Sequence, residues 1–360
     1  MRARLLLTVA APVLTALACT AVTVLPAEAS ASSARAAQAT VTPGIGHTCS
    51  RWVAINGFSD SLDKTTFEGI PVSELSGLAR DTNGQFLAVG DDSHLFTLDG
   101  RTKKPVAVRP LATPDGTELD SEAIVVDHDG TRLITDEEQP AVHRYSASGR
   151  YLGSLPVPDA LKVAPAGRAT HNLTFEGLAL LSDGRTLVAS MEGALTGDDA
   201  GIRRLQTWQR VGHSGAFRLG AQFAYRSDAG LDISDITATD DGRLLVLERG
   251  FTAGVGNSVR LVLADSRRAT DVSEVPELTG DLTGVRPMAR TLLTDVSACP
   301  SLGATTKQPQ PNPLLDNIEG VTVTGHTRDG RLRLLMVSDD NQRATQTTRL
   351  YELTARLPRT

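Results

Sequence analysis

The chain has 360 residues, 40% hydrophobic and 22% charged, enough to bury a sizeable core as one large domain or two ordinary ones. Its net charge is −6 and only 4% of residues are aromatic. A mildly acidic surface with little stacking area for bases argues against nucleic acid.

At the N-terminus, Arg2 and Arg4 precede an apolar run from Leu5 to about Leu25 and then Ala27-Glu28-Ala29. Residues 1–29 read as a secretory signal cut near Ala29, with a retained membrane anchor as the alternative. Cys19 follows Ala16-Leu17-Ala18, without the leucine three positions before it that lipidation wants. Loss of Arg2, Arg4 and Glu28 takes the net charge to −7. The Ala- and Ser-rich residues 30–46 read as a disordered lead-in, and 47–360 as the folded domain. No second apolar run is long enough to span a bilayer. Cys49 and Cys299 remain; in an oxidising compartment such a pair bridges, the alternative being two unpaired thiols. There is no CxxC, which speaks against a zinc site of that kind.

The folded part repeats one unit. Its clearest copy is TFEGLALLSDGRTLVASMEG at 174–193: an acid-glycine pair, a short apolar run, a Ser-Asp-Gly turn, a second run and a closing acid. Two strand-length runs about such a turn predict a β-hairpin with both acids at the end opposite the turn. Similar units begin at Leu75 (LSGLARDTNGQFLAVGDDS), Asp120 (DSEAIVVDHDGTRLITDEE), Asp232 (DISDITATDDGRLLVLERG) and Asp316 (DNIEGVTVTGHTRDGRLRLLMVSDDN). Further short strands follow each. The repeat of about four antiparallel strands predicts an all-β fold, a β-propeller of four-stranded antiparallel blades. Five units are visible. The long gap between the fourth and fifth units, which includes a Pro-rich loop, holds an insertion or a degenerate unit around 289–296; six blades are favoured, with five or seven open and a β-sandwich or two unrelated β-domains as the other architectures.

The turn aspartates Asp129, Asp183, Asp241 and Asp329 suit tight turns and read as structural. The remaining acids gather at one channel mouth. Glu122, Glu176, Asp235 and Glu319 open units; Asp91, Asp92, Asp136, Glu137, Glu192, Glu248, Asp339 and Asp340 close them. Like charges at close range repel, so a cation is expected there. One candidate is Ca²⁺, a hard ion bound by oxygen ligands. The other is arginine, since Arg203, Arg204, Arg249 and Arg343 lie near these acids. Other chemistry is thin. There is no GxSxG elbow, HExxH, Walker loop or dinucleotide glycine motif. Gly212-His213-Ser214-Gly215 reads as a loop and His171 as solvent-facing.

LSGLARD, DSEAIVVD, TFEGLALLSDGRTLVASMEG and DNIEGVTVTG with VSDDN, taken in this order, resemble the secreted phytase-like family, also called "esterase-like activity of phytase". The resemblance runs from about Leu75 to the C-terminus. It implies a propeller rich in Glu and Asp with a phosphoesterase-type activity. Ser76, Glu122, Glu176 and Glu319 match at the openings. Asp91, Asp136, Glu192, Glu248, Asp339, Asp340 and Asn341 match at the closings. Asp235-Ile236 departs from the Glu-Gly or Ser-Gly pattern, and the RHG signature of histidine acid phosphatases is missing, so no phosphohistidine is expected. The leading expectation is a secreted, calcium-dependent phosphoester hydrolase. Glu176, Glu319 and Glu122 are its catalytic candidates, and Asp91, Asp136, Glu192, Glu248, Asp339, Asp340 and Asn341 its metal candidates. A calcium-dependent lactonase or carboxylesterase and a non-catalytic binding propeller are the alternatives. The expected partner is a small ester or phosphate, the expected state a monomer.

Overall fold

The computed structural model describes residues 47–359; the expected signal and lead-in lie outside them. These residues form five four-stranded antiparallel sheets, each a blade. Blade one comprises Leu75–Arg80, Phe86–Gly90, His94–Leu98 and Pro105–Pro110. Blade two comprises Ile124–Val126, Arg132–Asp136, Ala141–Tyr145 and Tyr151–Ser154. Blade three comprises Phe175–Leu180, Thr186–Met191, Ile202–Gln209 and Arg218–Arg226. Blade four comprises Asp232–Ala238, Leu244–Thr252, Gly256–Asp265 and Ala289–Asp295. Blade five takes Asn317–His326, Leu332–Asp339 and Leu350–Ala355, and its outer strand is Val53–Ser59 from the start of the domain. The first strand of each hairpin unit is innermost, and the five inner strands contact one another in a closed ring.

The propeller is thus as expected, with five blades in place of six. The stretch 289–296 begins no further unit; Ala289–Asp295 is the outer strand of blade four, reached by a long connection over 266–288. That connection packs Val272, Leu278 and Leu282 on Ile202 and Ala224 of blade three. The Pro-rich segment is a loop between blades four and five, and residues 53–59 pair with the C-terminal strand to close the ring.

The sequence pattern explains the packing. Inner and second strands are apolar because both faces are covered by neighbouring blades. Five hydrophobic clusters fill the five blade-to-blade interfaces, for instance Phe175, Leu178 and Trp208 against Leu133 of blade two, and Leu247 and Leu261 against Ile318 and Met336 of blade five. Each fully buried aliphatic or aromatic side chain contributes about 1.5–3 kcal/mol. At the far end of the hairpins the Asp-Gly turns do what their residues dictate. Gly130, Gly184, Gly242 and Gly330 have φ of 63–81°, where a side chain is costly. Asp129 accepts from the Thr131 amide at 2.8 Å and Asp183 from Arg185 and Thr186 at 2.8 and 2.9 Å. Cys49 and Cys299 form a disulfide that ties the segment before the closing strand to the end of blade four.

Candidate metal centre at the channel mouth

The acid-glycine pair at each unit's opening is a β-bulge. In blade three Phe175 pairs with Met191 and Gly177 with Ser190, leaving Glu176 as the extra residue. Ser76 is left out in the same way in blade one, Ser234 in blade four and Glu319 in blade five. In blade two, Asp120 accepts the Glu137 amide at 2.9 Å and Ala123 that of Thr135 at 3.0 Å. Glu122 therefore holds the equivalent place. A bulge re-aims one side chain; the three glutamates it re-aims all line one cavity. The residue after the bulge is glycine where the next inner strand comes closest. A Cβ on Gly177 would lie 2.6 Å from the Ile236 amide nitrogen, and one on Gly77 2.4 Å from the Glu122 carbonyl oxygen.

The second strand supplies one residue opposite each opening. By the same ladders these are Asp91, Glu137, Glu192, Arg249 and Asp339. The mouth thus carries one two-residue position per blade: Ser76 with Asp91, Glu122 with Glu137, Glu176 with Glu192, Ser234 with Arg249, and Glu319 with Asp339. With Asp120, eight carboxylates and the guanidiniums of Arg249 and Arg343 line a cavity of about 490 Å³.

Two carboxylate triads form within it, Asp91–Asp120–Glu122 and Glu137–Glu176–Glu192, each with one oxygen per residue inside 4.8 Å. Glu176 is 5% exposed, and its Oε2 is buried without a hydrogen-bond partner among the described residues. Beside the second triad Arg249 lies 3.1 Å from Glu319 and 3.4 Å from Glu192 and donates to Asn317 Oδ1 at 3.0 Å. Asn317 Nδ2 donates to Glu319 at 2.8 Å and Asp339 at 3.1 Å, and the Ser76 hydroxyl joins Glu319 to Asp91.

The crowding shows in the acidities. Burial first, then the charge of Glu192, lifts Glu137 to about 8. Burial lifts Glu192 to about 7, against the pull of Arg249. Burial and then Glu122 and Glu192 push Glu176 well above the carboxylate range; burial, Asp91 and Glu319 do the same to Glu122. Asp91 and Asp339 are raised by burial and then by Glu319. Burial alone would lower Arg249, but Glu319, Glu192 and Glu176 hold it firmly protonated. Metal-free, this ring keeps several carboxyls neutral. A cation would let them ionise.

Of the residues singled out in the sequence, Glu122, Glu176, Glu319, Asp91, Glu192, Asp339 and Asn341 line the cavity. Asp136, Glu248 and Asp340 do not, and they are engaged elsewhere. Asp136 accepts from His143 Nε2 at 3.2 Å. Glu248 is fully buried between the Tyr225 hydroxyl at 2.5 Å and Arg290 at 2.7 Å. Asp340 pairs with Lys64 and accepts the Glu74 amide at 3.2 Å. Each is one residue from its blade's mouth position, and on a strand that step turns a side chain to the other face. Asp235 occupies the post-bulge place of the glycines, accepting the amides of Ile236 and Val321 at 2.7 Å each. It joins blades four and five and leaves the cavity to Arg249. Glu137 and Asp120 complete the triads. Spacing carries the signal for Glu137, which lies fifteen residues after Glu122 as Asp91 does after Ser76. Arg203 and Arg204 pair away from the mouth, with Asp232 and Asp198. His171 sits at the surface 2.9 Å from Glu138.

A family model described as "Phytase-like: Esterase-like activity of phytase" matches residues 70–342. An "uncharacterized secreted protein" of Arthroderma benhamiae is 30% identical over 184 residues, a match covering 42% of this chain and 33% of that protein. Among solved structures, a gluconolactonase from Xanthomonas campestris is 14% identical with a TM-score of 0.41, covering 81% of this chain and 74% of that one. A virginiamycin B lyase from Staphylococcus aureus is 13% identical with a TM-score of 0.38, covering 79% and 68%. These two likenesses are too loose to bear on the chemistry.

Proposed function

The chain belongs to the phytase-like family, whose model is described as esterase-like activity of phytase, and on that premise we propose that it is a secreted hydrolase of phosphoric esters that works with a divalent cation, calcium by its donor set. The observation that carries the reading is the pair of carboxylate triads with the buried, unpartnered Oε2 of Glu176. Carboxylate oxygens are hard donors of the kind Ca²⁺ takes, and an orphaned buried oxygen costs free energy that a cation would return. Asp91, Asp120 and Glu122, and Glu137, Glu176 and Glu192, are the residues that would hold it. A divalent cation held there would neutralise the ring and supply Lewis-acid polarisation of a phosphoryl oxygen.

The chain's own groups do the rest. Arg249, fixed by Glu319, Glu192 and Asn317, presents positive charge to an anionic substrate oxygen. Glu319, held by Arg249, Asn317 and Ser76, is the carboxylate that orients water and takes its proton. Secretion accords with the N-terminal pattern, with the Cys49–Cys299 disulfide, which an oxidising compartment sustains, and with the description of the A. benhamiae relative. Among the described residues no helix is long and apolar enough to cross a membrane.

The test is hydrolysis of p-nitrophenyl phosphate and a thermal melt on chelated protein, with and without added Ca²⁺, beside Glu176→Gln and Glu319→Gln. Calcium should raise the melting temperature and restore turnover. Glu176→Gln should lose both responses, and Glu319→Gln turnover alone. Turnover that persists through every acid substitution ends the proposal. Activity confined to lactones or carboxylic esters moves it to that substrate class.

A further inference from the structure

The cavity is chemically two-sided. Both triads come from blades one to three and the segment that opens blade two. Blades four and five and the Pro-rich loop add Glu319 and Asp339, but they also supply most of the side-chain amides, both guanidiniums, those of Arg249 and Arg343, and the phenyl ring. Asn257 is 1% exposed and its Nδ2 has no partner among the described residues; Gln346 is 7% exposed and its Oε1 has none either. Both residues line the cavity. The Nε of Arg249 is likewise buried and unpartnered. Above them Phe251, which pairs with Asn257 across the hairpin of blade four, is 59% exposed and also lines the cavity.

We propose that this wall is the recognition half of the cavity and that it takes a ring-shaped polyol carrying free hydroxyls and a single phosphate, in preference to a polyanion. A buried donor and a buried acceptor, both unmet, call for a ligand that both accepts and donates. A hydroxyl does both. A fully ionised phosphate oxygen only accepts, so it can satisfy Asn257 Nδ2 and leaves Gln346 Oε1 orphaned. Arg249 offers Nε to one anionic oxygen, its terminal nitrogens being held by Glu192, Glu319 and Asn317. With two guanidiniums against eight carboxylates, the cavity favours one anionic group over several. Phe251 gives the apolar face of a ring a flat surface to lie on. The cavity's size suits a monosaccharide-like group. The proposal rests on the hydrolase reading for where the phosphate points, but its binding claim holds without turnover.

The experiment is calorimetric titration of the full mature protein in saturating Ca²⁺ with three probes: glucose 6-phosphate, phenyl phosphate and tripolyphosphate. Glucose 6-phosphate should bind at least ten-fold more tightly than the other two. Asn257→Ala and Gln346→Ala should each cut its affinity roughly ten-fold, the effect of one buried hydrogen bond, and Gln346→Ala should leave phenyl phosphate unchanged. Phe251→Ala, at an exposed site where the fold is not at stake, should weaken glucose 6-phosphate and spare tripolyphosphate. The proposal is overturned if tripolyphosphate binds as tightly as the sugar phosphate, if the three substitutions leave the ratio of affinities unchanged, or if no probe binds. Should glucose 6-phosphate bind with the expected preference while no phosphate ester is turned over, the recognition wall stands and the hydrolase reading falls.

Discussion

Replacing Arg249 by methionine tests whether the acidic ring is held by one internal cation. The guanidinium touches Glu319, Glu192 and Asn317, and methionine keeps much of the side chain's apolar bulk. Truncating one partner of a buried ion pair typically costs about 3–5 kcal/mol, because the other charge is left buried. For roughly 310 folded residues at about 2.1 cal/mol/K each, the unfolding entropy is near 0.65 kcal/mol/K, so the melting temperature should fall by about 5–8 °C. The loss should depend on pH. Glu192 and Glu137 titrate at about 7 and about 8 in the fold, above the ordinary 4.5. Between those limits the folded state binds more protons than the unfolded one, and stability falls as pH rises. Arg249 offsets that fall. In metal-free buffer Arg249→Met should therefore melt close to the parent at pH 5 and well below it at pH 8. Adding Glu192→Gln should return part of the loss at pH 8. A deficit of equal size at both pH values, or none at pH 8, would falsify the account of the ring as a charge-crowded site.

Other outcomes follow from the same geometry. Calcium should raise the parent's melting temperature more at pH 8 than at pH 6, since the ligand carboxyls must ionise to bind. Glu176→Gln should blunt that rise, whereas Glu248→Gln should lower the melting temperature without changing the calcium response; equal responses in both variants would count against the site. Gly177→Ala places a methyl 2.6 Å from the Ile236 amide and should cost about 1–3 kcal/mol through overpacking, read by urea denaturation; an unchanged midpoint would mean the inner strands are not so closely apposed. Reducing the Cys49–Cys299 disulfide, or replacing both cysteines by serine, should cost about 2–5 kcal/mol, because the bridge spans 250 residues and restrains the unfolded chain. A melt unaffected by reductant would refute that.

The repeat was legible in the sequence because the forces that make it are local. Two short apolar runs about an Asp-Gly turn specify a hairpin, and five hairpins of one pattern imply a ring. Blade number was not legible, because outer strands carry little signal. Ala289–Asp295, much of it exposed, looks the same as part of a degenerate unit or as the edge of blade four. That Val53–Ser59 completes blade five follows from ring closure, which needs a strand from one chain end beside the strand from the other. The mouth was legible as a region and blurred by one residue. Runs such as Asp136-Glu137-Glu138 and Asp339-Asp340 offer several acids where one faces the cavity, and the bulge decides which. Counting fifteen residues from Glu122 selects Glu137.

The same register explains why blade four reads as a departure and is the blade that orients the site. Aligned by bulge, Ser234-Asp235 replaces Glu-Gly, and Arg249 stands where four blades place an acid. Asp235 carries a side chain into the space glycine leaves elsewhere, and it is tolerated because its oxygens take the amides of Ile236 and Val321. Five equivalent acidic blades would make a symmetric, purely cation-binding mouth. One blade that substitutes a serine and an arginine, and lifts Asn257 and Phe251 on an extended hairpin beside them, gives the cavity a charged direction. On the proposed function, a substrate with one anionic end and a neutral body would then have a single favourable orientation, with its phosphate toward Arg249.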